Sequence, residues 1–317
     1  MKMNTVENIA EIEKTSKSFS NTQSSNINWA RKKKNTIRTL RILTIWILAV
    51  IILFPIYWII LTSVRPIRET MVTPPNFLPN PQTMTLRHYQ TVLSGRIGSA
   101  TNQHGLPTFF VNSVIISVST AAVTIFASLL AAYSLVRIQF RGRRIISHLI
   151  MVCHLIPGIA LLIPMFVMAV NMGVNNTRHG LILFQTAAAL PLGIWFAKAF
   201  LKGLPIEVEE SAKLDGCNQM QVILKIVAPL AVPGLIVVGF NTFLASWNDF
   251  ILPSVLISQD RLSPLMVGLF LFFNENIGLV WGEMMAAAFV AMVPVFFGFF
   301  YFQKYIVSGI SAGAVKG

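Results

Sequence analysis

Carboxylates are concentrated in one short stretch of this sequence. The chain of 317 residues has 12 Asp and Glu against 25 Lys and Arg, and three of the acidic residues, Glu207, Glu209 and Glu210, fall close together. Carboxylates at the start of a short helix are fixed hydrogen-bond acceptors for basic groups. A helix that rests on an anionic lipid leaflet usually carries Lys and Arg instead, because the headgroups would repel acidic residues. The stretch is therefore a candidate contact surface for a protein partner.

The residues around these carboxylates predict two short helices joined by a tight turn. Pro205 has the fixed φ that suits a first helical position, and acidic residues in a first turn complement the helix dipole. Asp215 and Gly216 follow, and glycine can take the positive φ that ends a helix. Apolar residues at 222–227 recur at helical spacing and predict the second helix.

The composition is that of a membrane protein. Hydrophobic residues make up 54% of the chain and charged residues 12%, whereas soluble domains have about 25% charged residues. Crossing about 30 Å of hydrocarbon takes roughly 20 helical residues. Apolar runs of this length occur at 42–63, 109–136, 145–170, 180–200, 228–250 and 283–303. The sequence predicts an all-α integral membrane protein with six transmembrane helices, and the acidic stretch lies between the fourth and the fifth.

Two of the predicted spans contain residues that bend helices. Proline lacks a backbone N–H and interrupts the helical ladder, and neighbouring helices can satisfy the carbonyls that it leaves free. Kinks are expected in the third and fifth spans, at Pro157, Gly158, Pro164, Pro229, Pro233 and Gly234. Kinked helices of this kind suit the lining of a cavity.

The basic residues predict the orientation in the membrane. When the connections between spans are sorted alternately, 19 of the 25 Lys and Arg residues fall on one side and 6 on the other. Because cytoplasmic connections are enriched in Lys and Arg, both termini and the acidic stretch are predicted to face the cytoplasm. The same bias explains the net charge of +13 without a nucleic-acid partner.

Three regions follow from this topology. Residues 1–41 form a polar, basic cytoplasmic leader that cannot build a packed core and does not resemble a cleavable signal peptide. Residues 42–303 form the six-span domain, and residues 304–317 form a cytoplasmic tail.

Motifs for catalysis and nucleotide binding are missing from the sequence. It contains no G-x-x-x-x-G-K-[ST] phosphate loop, H-E-x-x-H or G-x-S-x-G motif, and Cys153 and Cys217 do not have metal-ligand spacing. Asp249 and Glu283 lie only at the ends of spans, whereas proton- or sodium-coupled carriers keep a carboxylate at mid-membrane. The chain is predicted not to be an enzyme and to receive its energy from outside the bilayer.

Polar groups at membrane depth indicate a pathway for a solute. Asn241, Trp247 and Asn248 on the fifth span combine an aromatic face with amide groups, as sugar sites do. The alternative for Trp247 is an anchor at the membrane interface. Ser and Thr in spans commonly bond to their own helix or help helices to pack.

The acidic stretch also carries an extended motif. Glu210, Ser211 and Ala212 are followed after three residues by Gly216, and after nine more by Ile226, with Pro229 close behind. This pattern resembles the cytoplasmic E-A-A-x3-G-x9-I-x-L-P loop of ABC-importer permeases. Ser211 replaces an alanine and Ala228 a leucine, and both changes keep a small or apolar residue.

Three further segments resemble the carbohydrate-type, maltose-permease-like branch of this family, so that the resemblance covers roughly residues 40–317. They are F-L-K-G-L-P-I-E-V-E-E-S-A, N-T-F-L-A-S-W-N-D-F-I-L-P and the C-terminal S-G-I-S-A-G-A-V-K-G.

The resemblance implies half of a sugar importer in a prokaryotic cell membrane. Its partners would be a second, different permease subunit, two cytoplasmic ATPase subunits that bind ATP and Mg²⁺, and an extracytoplasmic solute-binding protein; this chain itself would need no cofactor. The acidic stretch would be the family's coupling helix, seated on an ATPase subunit. The residues implied in coupling are Glu209, Glu210, Ser211, Ala212, Asp215 and Gly216.

Two alternatives remain at this stage. A self-contained secondary carrier would transport without ATPase subunits, although the spans lack a coupling carboxylate. A membrane enzyme could use His148 and His154, but six residues of separation place them on different helix faces.

Overall fold

A computed structural model describes residues 37–70, 72, 76–94, 105–271 and 281–314. Within these ranges the chain forms α-helices, short 3₁₀ segments and one π-helical turn, with no strand. The α-helices are α1 (Ile37–Ser63), α2 (Ile67–Thr70), α3 (Arg87–Leu93), α4 (Leu106–Arg137), α5 (Arg143–His154), α6 (Leu162–Asn171), α7 (Arg178–Leu201), α8 (Glu207–Leu214), α9 (Gln219–Gln221), α10 (Ala228–Trp247), α11 (Ile251–Leu256), α12 (Leu265–Leu271) and α13 (Trp281–Ala314).

The chain divides into two compact units. The first ends at Trp58 and contains most of α1, and the second begins at Ile59. Residues 1–36 of the predicted leader and residues 315–317 of the predicted tail lie outside the described residues. Helix α13 continues to Ala314, so the predicted tail starts as a helix.

Five helices in the described ranges are long and apolar enough to cross a membrane. They are α1, α4, α7, the continuous helix Gln219–Trp247 and the part of α13 from Trp281 to Tyr305. The predicted third span, 145–170, is instead a pair: α5 and the segment Gly158–Asn171 meet at a bend of 93°. The predicted break at Pro157 and Gly158 is confirmed. A proline disfavours the helical conformation at the residue before it, which for Pro157 is Ile156. This explains why α5 ends nearby, at His154.

The fifth span begins closer to the acidic stretch than predicted. The separate second helix predicted at 222–227 is a π-helical turn that leads directly into α10. Pro229 lies in the first turn of α10. Because a proline ring crowds the carbonyl four residues before it, the wider π turn relieves this contact without ending the helix.

Close packing of α4, α7 and α10 forms the centre of the second unit. A Cβ placed at Gly193 of α7 would lie 2.5 Å from Ser128 Oγ of α4 and 3.3 Å from Val238 of α10. Only glycine allows the three helices to approach this closely. Buried apolar side chains continue this core to Ala212 of α8 and Val222 of the π turn, so the acidic stretch is packed onto the helices.

Candidate functional site

The predicted acidic helix is present. Helix α8 has Glu207, Glu209 and Glu210 in its first turn, and it begins two residues after Pro205. A turn at Gly216 and the start of α9 follow, as predicted. We call residues 204–221, which connect α7 to the π turn, the acidic loop.

Glu209 fixes the acidic loop to the end of α4. Its side chain is buried, with a residue exposure of 2%. Arg137 Nε donates to Glu209 Oε1 at 2.7 Å, and the Tyr133 hydroxyl donates to Oε2 at 3.1 Å. Arg137 Nη2 also donates to the carbonyl of Leu204 at 2.9 Å, and Gln219 Nε2 donates to the Tyr133 oxygen at 2.5 Å. Both ends of the acidic loop are therefore bonded to the same turn of α4.

Tyr133, Arg137 and Gln219 were not among the predicted site residues. Tyr133 and Glu209 are 76 positions apart in sequence, and nothing local relates them. The available signal was a tyrosine and an arginine one helical turn apart at the end of an apolar span. It identifies a polar helix end but not its partner.

The other predicted coupling residues lie on two faces of α8. Ala212 is buried in the helix core, whereas Glu210, Ser211 and Asp215 are exposed. The Ser211 hydroxyl donates to the Glu207 carbonyl of its own helix at 2.9 Å. Glu210 and Asp215 therefore remain available to a partner, while Glu209 and Ala212 hold the helix in place.

Gly216 ends α8 in the left-handed conformation, with φ of +89°. Its N–H donates to the Lys213 carbonyl at 3.1 Å, and the next N–H, of Cys217, donates to Ala212 at 3.0 Å. A Cβ at this position would meet nothing within 4 Å. Backbone strain, and not lack of space, makes glycine favourable here. A capping box between Asn218 and Gln221 starts the next helix immediately.

An apolar side chain projects from the tip of the acidic loop. Leu214 is 90% exposed, and Val208 and Met220 on the same loop are also exposed. The exposed face of the acidic loop therefore combines apolar side chains with carboxylates.

A second candidate site is a cavity of about 180 Å³ between α4, α7 and α10, lined by Ala and Leu side chains as well as by polar ones; we call it the polar cavity. Its polar lining residues are Thr120, His154, Gln185, Asn241, Thr242, Ser246 and Asp249. Gln185 links this lining together: its Oε1 accepts from Ser246 Oγ at 2.7 Å, and its Nε2 donates to Asp249 Oδ2 at 2.9 Å. Asp249 Oδ1 accepts from the N–H of Leu252 at 3.3 Å, so the network also fixes the start of α11.

The three predicted pathway residues occupy different places. Asn241 is exposed and lines the cavity. Trp247 is 1% exposed, packs on Phe110 and Phe243, and donates from Nε1 to the Ala291 carbonyl at 3.2 Å. Asn248 is exposed, but its amide donates to Leu244 of its own helix and it does not line the cavity. Gln185, Ser246 and Asp249 provide cavity groups that the predicted set omitted.

These features define a class of protein: a multi-span membrane protein with a polar cavity between helices and a braced acidic helix at one end. Residues 124–312 match the family described as "Binding-protein-dependent transport system inner membrane component". The chain belongs to this family and is an ABC-transporter permease, a multi-pass membrane protein that works with other transporter subunits.

Relatives of the chain match along most of their length. The inner membrane ABC transporter permease protein YcjP of Escherichia coli (strain K12) is 34% identical over 268 residues, which cover 84% of this chain and 92% of the relative. The trehalose/maltose transport system permease protein MalG of Thermococcus litoralis is 32% identical, with 88% and 97% covered.

The fold also matches a solved structure. A chain of a bacterial ABC transporter involved in the import of the acidic polysaccharide alginate superposes with a TM-score of 0.73 at 22% identity. The match covers 86% of this chain and 96% of that one. The described helices therefore share the fold of that chain.

Proposed function

We propose that this chain forms half of the import pathway for a sugar or oligosaccharide and couples it, through α8, to separate ATPase subunits. The observation that carries the proposal is the acidic loop, whose inner face is locked to α4 by Glu209 while Glu210, Leu214 and Asp215 remain exposed. A helix held rigidly on one side and open on the other suits the transfer of a partner's movement.

The substrate class rests on the relatives. The Thermococcus litoralis relative is named as a trehalose/maltose permease, which supports a sugar for this chain. The cavity agrees with this assignment, since its amide, hydroxyl and carboxylate groups suit the hydroxyl groups of a sugar.

The proposed topology has six crossings, with the bent pair as the third and both termini in the cytoplasm. Residues 1–41 are the leader, 42–303 the spanning domain and 304–317 the tail. The structure supports a cytoplasmic position for α8, because Arg137 contacts it and the basic connection at 141–144 follows the same end of α4. Connections rich in Arg and Lys face the cytoplasm.

The proposed coupling runs through two helices at once. A displacement of α8 reaches α4 through Glu209, Tyr133 and Arg137, and it reaches α10 through the continuous helix that begins at Gln219. Both α4 and α10 line the polar cavity. ATP and Mg²⁺ would bind to the two ATPase subunits, a second and different permease would complete the pathway, and an extracytoplasmic binding protein would deliver the sugar.

Replacing Leu214 by Asp tests the docking surface. Loss of an exposed apolar anchor should weaken binding of the ATPase by roughly tenfold or more. The measurements are the amount of ATPase that co-purifies and the substrate-stimulated ATP hydrolysis. Leu78→Asp is the matched control, because Leu78 is 72% exposed and distant in sequence from the acidic loop. Unchanged ATPase recovery and activity with Leu214→Asp would refute docking at this helix.

Replacing Asn241 by Leu tests the pathway. The cavity would lose an amide, and we expect sugar uptake to fall about tenfold while assembly with the ATPase is retained. The comparison variant is Asn248→Leu, on the same helix but outside the cavity, and we expect it to have a smaller effect. Equal loss of uptake in both variants would argue against a specific role for the cavity.

A further inference from the structure

A second, larger cavity lies at the end of the molecule where α4 gives way to α5. It has a volume of about 690 Å³ and is bounded by the α4–α5 connection, the start of α5 and the end of α7. Its charged lining is entirely basic or imidazole: Arg143, Arg144, His148, Lys198 and Lys202. The residues that line it include no Asp or Glu. Neither the proposed sugar pathway nor the acidic loop uses this cavity.

The positive charges in this cavity lie on neighbouring elements. Lys198 and Lys202 are four residues apart at the end of α7, and Arg143 at the start of α5 lines the same cavity. The hydrogen-bond partner of Lys198 is the neutral hydroxyl of Ser147, which removes no charge. Arg143 donates to the carbonyl of Ile138, again a neutral group. Lys198 and Arg143 are half-buried, and like charges that are held close together favour an anion that neutralises them.

The first turn of α5 adds to the same positive field. Gly142, in the left-handed conformation, precedes the helix and provides no side chain to cap it. The first turn contains no acidic residue and begins with Arg143 and Arg144. The positive end of a helix dipole favours an anion, and the start of α5 borders the basic cavity, although the Arg143 N–H already donates to the carbonyl of Phe140 at 3.3 Å.

The surface next to the cavity identifies the kind of anion. Helix α5 leaves the cavity with an exposed apolar face that includes Ile145, Leu149 and Val152. A free phosphate would make no use of this face. A phospholipid would, because its headgroup would enter the cavity while its acyl chains followed the apolar side chains along α5.

We propose that this cavity binds the phosphate headgroup of an anionic phospholipid from the leaflet on the basic side of the membrane. Lys198, Lys202 and Arg144 supply the charge, and the exposed face of α5 holds the acyl chains. Since α5 is one arm of the bent pair, a bound lipid would also contact a broken segment of the permease. The site is independent of the identity of the transported sugar.

The test is native mass spectrometry of the intact transporter, purified with its co-expressed subunits and titrated with phosphatidylglycerol or phosphatidylcholine. The double variant Lys198→Gln with Lys202→Gln is compared with Arg141→Gln with Lys225→Gln, which removes two charges that do not line the cavity. We expect at least about tenfold weaker retention of phosphatidylglycerol in the first variant only, because each of the two basic residues contributes about fivefold. Lys202→Gln alone, at an exposed position, should give a smaller loss of phosphatidylglycerol retention than the double variant. Lys202→Arg keeps the charge and should retain phosphatidylglycerol as the unmodified chain does.

Three results would overturn the proposal. Equal losses in both double variants would indicate general surface charge. Displacement of the lipid by millimolar inorganic phosphate would indicate a site for a free anion. Loss of a co-purifying subunit from the first variant, with phosphatidylglycerol retained, would show that a protein partner occupies the cavity.

Discussion

Replacing Glu209 by Gln should strongly destabilise the transporter and largely abolish substrate-stimulated ATP hydrolysis. The change leaves the Arg137 guanidinium, whose side chain is 13% exposed, without its countercharge. Breaking a buried ion pair by removing one partner typically costs about 3–5 kcal/mol. The acidic loop would keep only the Arg137–Leu204 and Gln219–Tyr133 contacts to α4, so movement of α8 would be transmitted poorly. The measurements are the thermal midpoint in detergent and the ATPase rate with and without substrate.

The neighbouring residue provides a matched control. Glu210→Gln removes the same charge one position later, but Glu210 is exposed. We expect its stability to stay within about 0.5 kcal/mol of the unmodified chain. A double variant with Glu209→Gln and Arg137→Gln should recover much of the lost stability, because it removes both charges together. Equal midpoints for Glu209→Gln and Glu210→Gln would contradict the structural role of Glu209.

Replacing Gly216 by Val should uncouple transport from ATP hydrolysis while the protein stays in the membrane. A side chain at a φ of +89° costs about 1–2 kcal/mol of backbone strain, although nothing lies within 4 Å to clash with it. Rotation of α8 away from its place on α4 would relieve this strain. We expect at least a tenfold loss of substrate-stimulated hydrolysis, assayed in proteoliposomes together with sugar uptake.

A variant at Gly173 provides a control that has the same backbone strain at a position outside the acidic loop. Gly173 has φ of +67° and equally open surroundings, but it lies in the connection between α6 and α7. Gly173→Val should therefore have a similar cost in stability without the same loss of coupling. Gly216→Asn should keep part of the activity, because asparagine tolerates the left-handed conformation. Normal uptake with Gly216→Val would remove the basis for a special role of this turn.

Local chemistry was enough to predict α8, the turn at Gly216 and most of the spans. A proline, three carboxylates and a glycine determine where a short helix begins and ends, and long apolar runs identify spans. The sequence could not predict that Glu209 is buried while Glu210 is exposed, because the two residues are chemically identical neighbours. Only the packing of α8 against Tyr133 and Arg137 decides which of them is buried.

The position of Trp247 could not be predicted from the sequence either. An indole near the end of a span suits an interface anchor, a sugar platform or a buried packing position equally well. In the structure, Trp247 stacks on Phe243 one turn earlier in α10 and meets Phe110 edge-on, and only the crossing of α4 and α10 brings Phe110 to it. Pro157 likewise predicts a bend but not its size of 93°, which depends on how α5 and α6 pack.

The π turn at the base of α10 determines the rotational phase of that helix. Each residue of an α-helix advances its direction by about 100°, and a π turn accommodates one residue more than an α turn does. The six residues Val222–Val227 therefore decide, from the end near the acidic loop, which side chains of α10 face the cavity. Asn241 and Ser246 line the cavity several turns further along α10. The π turn that joins the acidic loop to α10 therefore also influences which face of α10 lines the cavity.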